Sequence, residues 1–162
     1  MMNLKQMIIG ESVVSGLEQK HQDYTIKYFP HKGDWASVAF VKVFFKGKQV
    51  GKMGLSGISK KQQREFIEDD KRNGIKPDPT YNYGLINWSE LNSMHRGKGL
   101  YPIMLKIALK GVKNQGSDGV STMAQSGDSK RIWSKIANKK YYPPMPGSGN
   151  ATWVLTEPPK LK

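Results

Sequence analysis

The residue types best suited to bind a ligand lie together in residues 90–103, whose sequence is Glu-Leu-Asn-Ser-Met-His-Arg-Gly-Lys-Gly-Leu-Tyr-Pro-Ile. An apolar run ends here, glycines and basic residues follow, and apolar residues then recur at helical spacing. The pattern predicts a strand, a tight glycine turn and the start of a helix. Because the first N–H groups of a helix have no intrahelical acceptor and form the positive end of its dipole, we expect an anion to bind at this turn.

Residues 96–101 (Arg-Gly-Lys-Gly-Leu-Tyr) can be compared with three kinds of phosphate-binding loop. A Walker-type loop needs Ser or Thr after its lysine to hold magnesium, but Lys98 is followed by Gly99, which excludes it. A dinucleotide-binding turn needs a third glycine where Pro102 stands and an acidic residue about 20 positions later, for which no convincing candidate is present.

The third comparison is with motif A of the GNAT superfamily of acyl-CoA N-acyltransferases, written Gln/Arg-x-x-Gly-x-Gly/Ala, which the segment resembles. Arg96 matches the first position and Gly99 the first required glycine, whereas Tyr101 stands where the family usually has Gly or Ala. The resemblance covers residues 37–156, and its most specific part is residues 90–104.

A second segment, residues 126–136, resembles the motif B helix of the same family. Ser126 replaces the usual Asn, Ser129 takes the position of the small residue, and Trp133 replaces the usual Tyr. Trp133 cannot act as an acid at neutral pH, because the indole N–H only donates a hydrogen bond.

The resemblance implies an acyltransferase that moves an acetyl or other acyl group from acyl-CoA to an amine, by direct attack in a ternary complex. The pyrophosphate of the acyl-CoA cosubstrate would bind backbone N–H groups of the turn, with added charge from Arg96 and Lys98. The backbone near Leu91 and Asn92 would bind the pantetheine arm and polarise the thioester carbonyl. The residues assigned to acyl-CoA are Leu91, Asn92, Arg96, Gly97, Lys98, Gly99, Leu100, Tyr101, Ser126 and Ser129.

Three residues are candidates for moving protons during acyl transfer. Glu90 adjoins the motif and could remove the proton of the amine, directly or through water. Ser89, on the opposite strand face together with Asn87, could hold that water. Tyr141 lies close in sequence to the motif B helix and could protonate the departing thiolate, although aromatic residues there more often pack against a sheet edge.

Flanking patterns predict the elements that position these residues. We expect strands at 24–29 and 81–91, a hairpin over 38–45 and 50–55, and strands at 120–125 and 151–156. A polar helix is predicted over about 60 to 73, a helix from residue 100, and a third helix capped by Asp128 or Ser129, followed by a loop from Tyr141. The fold class is mixed α/β, with a central, mostly antiparallel sheet that contains one parallel, splayed strand pair and is flanked by helices.

We expect one GNAT-like domain over residues 1–162, with an N-terminal segment and first strand (1–36), the core (37–156) and a basic tail (157–162). The apolar run at the start is too short for a signal peptide, and the chain has no cysteine, so a cytoplasmic protein is expected. The three histidines show no metal-ligand spacing, and we expect no metal site. Oligomeric state stays open.

Basic residues outnumber acidic ones 26 to 13, a formal net charge of +13 that would attract a polyanion. Two classes of function therefore remain. One is an acyltransferase whose amine acceptor is linked to nucleic acid or belongs to an acidic protein. The other is a catalytically silent GNAT-like module, or an unrelated basic domain, that binds nucleic acid with Trp35, Trp88, Tyr81 and Tyr83 as stacking platforms.

Overall fold

A mixed sheet dominates the computed structural model, which describes residues 17–30, 39–56, 60–77, 79–123, 127–136, 139–141 and 152–159. In the described part, eight strands lie in the order β1-β2-β3-β4-β5-β6-β8-β7, and every neighbouring pair is antiparallel except β5–β6, which is parallel. The strands are β1 (Glu18–His21), β2 (Tyr24–Phe29), β3 (Ala39–Phe45), β4 (Lys48–Ser56), β5 (Gly84–Leu91), β6 (Val120–Met123), β7 (Lys139–Tyr141) and β8 (Thr152–Leu155). The helices are α1 (Lys60–Arg72), α2 (Leu100–Asn114) and α3 (Gly127–Ile136). The predicted fold class is confirmed.

Most predicted elements are present, with differences at their ends. The strand predicted at 81–91 begins only at Gly84, because a 3-10 turn, Pro79–Asn82, precedes it. Tyr141, predicted to begin a loop, is the last residue of β7, and residues 142–150 lie outside the described residues. α3 begins at Gly127, so Asp128 and Ser129 lie within its first turn and the prediction that one of them caps it is wrong. No helix in the described ranges is long and apolar enough to cross a membrane.

The core lies between α2 and one face of the sheet. Along β2, Ile26 and Tyr28 are fully buried while the residues between them are partly exposed, as expected for a strand with one covered face. Most of α2 is buried too, and its predicted polar positions Lys110 and Lys113 are exposed. α2 therefore packs across β2 and β3.

The amino ends of β5 and β6 are tied together by a buried serine. The Ser117 hydroxyl accepts a hydrogen bond from the Gly84 N–H (3.0 Å) and another from Gln63 Nε2 (3.1 Å) on α1. Lys60 of α1 also pairs with Asp118 at 3.2 Å. Because a buried polar group is costly unless it is hydrogen-bonded, this cluster fixes where β5 and β6 begin side by side.

Gly111 lies where α2 crosses the sheet, and we predict that Gly111→Ala destabilises the protein. A Cβ atom at Gly111 would overlap the ring of Tyr28, whose hydroxyl donates to Gln115 Oε1 on the same helix. Overpacking of this kind costs about 1–3 kcal/mol, against a gain of about 1 kcal/mol in helix propensity. Chemical denaturation would measure the change, and Lys110→Ala, at the exposed neighbouring position, should change stability by less than about 0.5 kcal/mol. An unchanged or higher stability of Gly111→Ala would contradict this packing.

Candidate functional site

The site begins where β5 separates from β6. The two strands pair only at Gly84 with Val120 and at Leu85 with Ser121, and β5 then continues to Leu91 without a β6 partner. On the other side β5 stays paired with β4 along its length, and Asn92 N–H donates to Val50 O at 2.9 Å. Because antiparallel pairing alternates, the N–H and C=O of Leu91 point away from β4 and into the gap beside β5.

A β-bulge at Asn87 decides which side chains face α2. On β4, Gly54 pairs with Trp88 and the next residue, Leu55, pairs with Ile86, so Asn87 has no partner. Cross-strand partners share a face of the sheet, and Ser89 lies opposite Met53, which is fully buried on the α2 side. The bulge therefore turns Ser89 toward α2. Simple alternation would place Ser89 and Asn87 on one face, as predicted, but the bulge between them interrupts that alternation.

The turn after β5 is the predicted glycine turn. A 3-10 turn, Ser93–His95, precedes Gly97 and Gly99, which both have φ of +74°, a left-handed conformation that glycine adopts without strain. No atom lies within 4 Å of where a Cβ would stand on either glycine. Gly99 is the residue before α2, which has no side-chain cap, and since Pro102 has no N–H, the N–H groups of Gly99, Leu100 and Tyr101 are the ones left for an outside acceptor.

Two side chains hold this turn against the sheet. Arg96 Nε donates to Leu91 O at 3.0 Å, which places the guanidinium beside the open end of β5. His95 Nδ1 is hydrogen-bonded to the Tyr24 hydroxyl at 2.8 Å, and its ring packs against the rings of Tyr24 and Phe45. His95 is therefore an anchor for the turn.

The end of β5, the turn and α2 enclose a cavity of about 490 Å³. Eight of the predicted site residues line it: Ser89, Glu90, Leu91, Arg96, Gly97, Gly99, Leu100 and Tyr101. The sequence analysis did not assign four others: Pro102, Met104, Arg131 and Ile132. Arg131 and Ile132 come from α3, so the motif B helix does border the motif A turn, and Arg131 adds a second guanidinium to the cavity wall.

Other predicted site residues lie elsewhere. Lys98 and Asn92 do not line the cavity, and Asn92 N–H donates to Val50 O, so of the backbone predicted to bind pantetheine the Leu91 N–H is the donor that faces the gap. Ser126 is outside the described residues, and Ser129 lies in the first turn of α3. Tyr141 ends β7, which is separated from β5 by β8 and β6. In the described ranges, no three histidine or carboxylate side chains converge to hold a metal ion.

Tyr101 is turned into the protein rather than out of the turn. Its hydroxyl accepts a hydrogen bond from Trp133 Nε1 at 3.1 Å and is also hydrogen-bonded to the side chain of Ser89. Trp133 is fully buried. Burial raises the pKa of the Tyr101 phenol, and the bonds with Trp133 and Ser89 offset part of that rise because they stabilise the phenolate.

The face of the sheet opposite α2 carries a row of three lysines. Lys27 pairs with Lys42, and Lys42 pairs with Lys52, across three adjacent strands; we call these residues the lysine row. Aromatic rings alternate with them: Lys52 Nζ lies 4.1 Å from the Phe40 centroid and 5.7 Å from that of Trp88, which is 44% exposed. Like charges directly opposite one another destabilise a sheet, so this row raises the local positive potential at a cost in stability.

The other proposed stacking residues are placed differently. Tyr83 is buried, so its prediction as a stacking platform is wrong. The Tyr81 hydroxyl donates to Asp70 Oδ2 at 2.7 Å, and its ring packs on Phe66. Trp35 lies outside the described residues.

Solved structures of similar fold include a GNAT domain. The GNAT domain of PAT from S. lividans aligns with a TM-score of 0.51 and 9% identity, over 76% of this chain and 64% of that one. A streptothricin acetyltransferase from Bacillus anthracis, solved with acetyl coenzyme A, aligns with a TM-score of 0.49 and 11% identity, over 74% of this chain and 62% of that one. This chain thus spans less than two thirds of either protein. No protein-family model and no curated protein matches its sequence.

The likeness to the PAT domain agrees with the parallel, splayed β5–β6 pair and with the helix that follows the glycine turn. The chain therefore has the GNAT fold.

The Tyr101 environment predicts an unusual ionisation. Burial raises the pKa of both Tyr101 and Tyr28, so at pH values where exposed tyrosines ionise these two phenols remain protonated. Spectrophotometric titration of tyrosinate should show a fraction of the seven tyrosines ionising well above pH 10, and Tyr101→Phe should remove part of that fraction. Trp133→Phe should move the Tyr101 step to still higher pH, because the phenolate loses a donor. If all tyrosines of the folded protein ionise near pH 10, the burial of the Tyr101 and Tyr28 phenols is contradicted.

Proposed function

We propose that the protein is an N-acyltransferase that transfers an acetyl or other acyl group from acyl-CoA to an amine. One observation carries this proposal: the uncapped N-terminus of α2 and the open end of β5 face the same cavity. A helix N-terminus suits a diphosphate, and an open strand end suits an extended chain that contains amide groups. Acyl-CoA carries a diphosphate and such a chain in one molecule. The likeness of the fold to the GNAT domain of S. lividans PAT adds support, because motif A of that superfamily is the motif that the glycine turn resembles.

The residues of the cavity fit such a ligand. The open space beside Gly97 and Gly99 lets oxygen atoms approach the N–H groups of Gly99, Leu100 and Tyr101. The guanidinium groups of Arg96 and Arg131 line the cavity and would balance the charge of the phosphates.

The thioester would lie at the end of β5. The Leu91 N–H, directed into the gap, would donate to its carbonyl oxygen and stabilise the negative charge that develops there during attack. Glu90 lines the cavity, and we assign to it the removal of the amine proton, directly or through a water molecule held by Ser89. Positioning of the two reactants in one cavity supplies the remainder of the rate enhancement.

Acetyl-CoA should stabilise the folded protein. A ligand at 100 times its Kd adds about 2.7 kcal/mol, which for a chain of this size raises Tm by roughly 5–10 °C. Gly99→Val should abolish that shift, because a branched side chain at positive φ both strains the turn and fills the space beside the N–H groups. Differential scanning fluorimetry with acetyl-CoA, CoA and no ligand would measure both effects.

Two control variants separate binding from general damage. Gly74→Val places the same side chain at a φ of +71° at the end of α1, where no atom lies within 4 Å of the Cβ. It should lower Tm by a similar amount but keep the shift caused by acetyl-CoA. Arg96→Ala should weaken the shift, whereas Arg64→Ala, on the exposed side of α1, should not. If acetyl-CoA and CoA leave the Tm of the wild type unchanged, the proposed function is wrong.

The lysine row favours an acceptor that is linked to nucleic acid over an acidic protein. Half-exposed Trp88 and the rings of Phe29, Phe40 and Phe44 interleave with Lys27, Lys42 and Lys52 on this face. Aromatic rings beside positive charges suit single-stranded nucleic acid, whose bases stack and whose phosphates need counterions. The same surface would serve a catalytically silent module that only binds nucleic acid, and acetyl-CoA binding distinguishes the two functions.

Removing charge from the lysine row should weaken binding of single-stranded RNA. Fluorescence anisotropy with a labelled oligonucleotide would give log Kd against log salt concentration for the wild type and for Lys42→Gln with Lys52→Gln. Each lysine that contacts a phosphate contributes about 0.7 to the slope, so the double variant should lower it by about 1.4. The matched control, Lys110→Gln with Lys113→Gln on α2, should leave the slope unchanged. Equal losses in both double variants would mean that net charge, and not this face, binds RNA.

A further inference from the structure

Tyr101 and Trp133 are the residues at which the two segments depart from motif A and motif B, and their side chains are in contact. Trp133 stands where motif B has a tyrosine, and Tyr101 stands where motif A has Gly or Ala. The hydrogen bond of 3.1 Å between Trp133 Nε1 and the Tyr101 oxygen joins them. α3 thus carries no tyrosine, and the phenol of Tyr101 on α2 is hydrogen-bonded to the tryptophan that stands at the tyrosine position.

The direction of that hydrogen bond leaves the phenol proton available. An indole N–H can only donate, so the Tyr101 oxygen is the acceptor in the bond with Trp133. The Tyr101 O–H can then point to Ser89 or to a group within the cavity, which Tyr101 and Ser89 both line. Ser89 lies two residues before Leu91 on β5. The N–H of Leu91 points into the gap beside this strand.

We infer that Tyr101 is the proton donor to the departing thiolate of CoA, an assignment that rests on the proposed acyl transfer. The amine nitrogen forms a bond to the acyl carbon, the carbon–sulfur bond breaks, and its electron pair stays on sulfur. The sulfur takes the phenol proton of Tyr101, and the proton lost by the amine passes to Glu90 or to water. Glu90 then releases its proton to solvent and the Tyr101 phenolate takes one from solvent, so the enzyme returns to its starting state.

The surroundings of Tyr101 suit this exchange. Burial keeps the phenol protonated before the reaction, and the donors Trp133 and Ser89 stabilise the phenolate once the proton has left. Both partners are themselves held in place, since Trp133 is fully buried in the core and Ser89 is part of β5. Tyr101 also lines the cavity, together with Leu91 at the end of β5.

Tyr101→Phe tests the inference because it removes one oxygen and leaves the ring. Thiol release from acetyl-CoA, with spermidine and Nα-acetyl-lysine amide as amine probes, would give kcat, and calorimetry with CoA would give Kd. We expect kcat to fall by at least 100-fold, the range of general acid catalysis, while Kd for CoA changes by less than about threefold. Trp133→Phe should lower kcat by about tenfold through the lost donor. Tyr81→Phe, which removes a hydroxyl bonded to Asp70, should leave kcat unchanged.

The results separate this inference from the function on which it rests. Unchanged turnover of Tyr101→Phe, with CoA still bound, would overturn the role of Tyr101 and leave the acyltransferase proposal intact. Loss of CoA affinity in Tyr101→Phe would also overturn it, because the Tyr101 hydroxyl would then act in binding CoA. Absence of CoA binding by the wild type would overturn the proposed function itself.

Discussion

The separation of β5 from β6 after two residue pairs is the constraint on which the candidate site depends. Parallel strands that remained paired would use the N–H and C=O groups of residues 86–91 within the sheet. Because β5 has no β6 partner beyond Leu85, the Leu91 N–H can face a ligand, and the turn that follows brings the first N–H groups of α2 to the same cavity. The bulge at Asn87 adds the side-chain part of this arrangement, since it turns Ser89 toward α2.

Charge in the molecule is divided between the two faces of the sheet. On the α2 side, Arg96 and Arg131 line a cavity that can enclose a small anion. On the other side, the lysine row extends over three strands with aromatic rings between the charges, a surface suited to a long anion. Glu90 lies opposite Lys52 at the end of this row and also lines the cavity, so it is the residue at which the two charged regions meet.

The elements and the glycine turn could be predicted from the sequence because their causes are local. Gly97 and Gly99 followed by apolar residues at helical spacing specify a turn and a helix, and α1 likewise ends at Gly74 through bonds from Gly74 N–H to Lys71 O and from Ile75 N–H to Asp70 O. The bulge at Asn87 could not be predicted, because it exists only in the register between β4 and β5.

Contacts between distant residues account for the other differences. The ring of His95 packs against Tyr24 and Phe45, which are more than 40 residues away in sequence, so its anchoring role does not follow from its neighbours in the chain. Arg131 was inside a segment already compared with motif B, yet only the packing of α3 against the turn shows that it lines the cavity. The sequence shows only that Tyr101 stands where the family usually has Gly or Ala, whereas the structure shows that its hydroxyl is bonded to Trp133.

The central claim is that backbone N–H groups at the start of α2, together with the N–H of Leu91, bind CoA. Titration of ¹⁵N-labelled protein with CoA, followed in ¹H–¹⁵N correlation spectra, measures those groups directly. The account predicts that the amide signals of Leu91, Gly97, Gly99, Leu100 and Tyr101 shift most, and that signals from α1 stay in place. Shifts confined to the lysine row, or no shifts at saturating CoA, would contradict it.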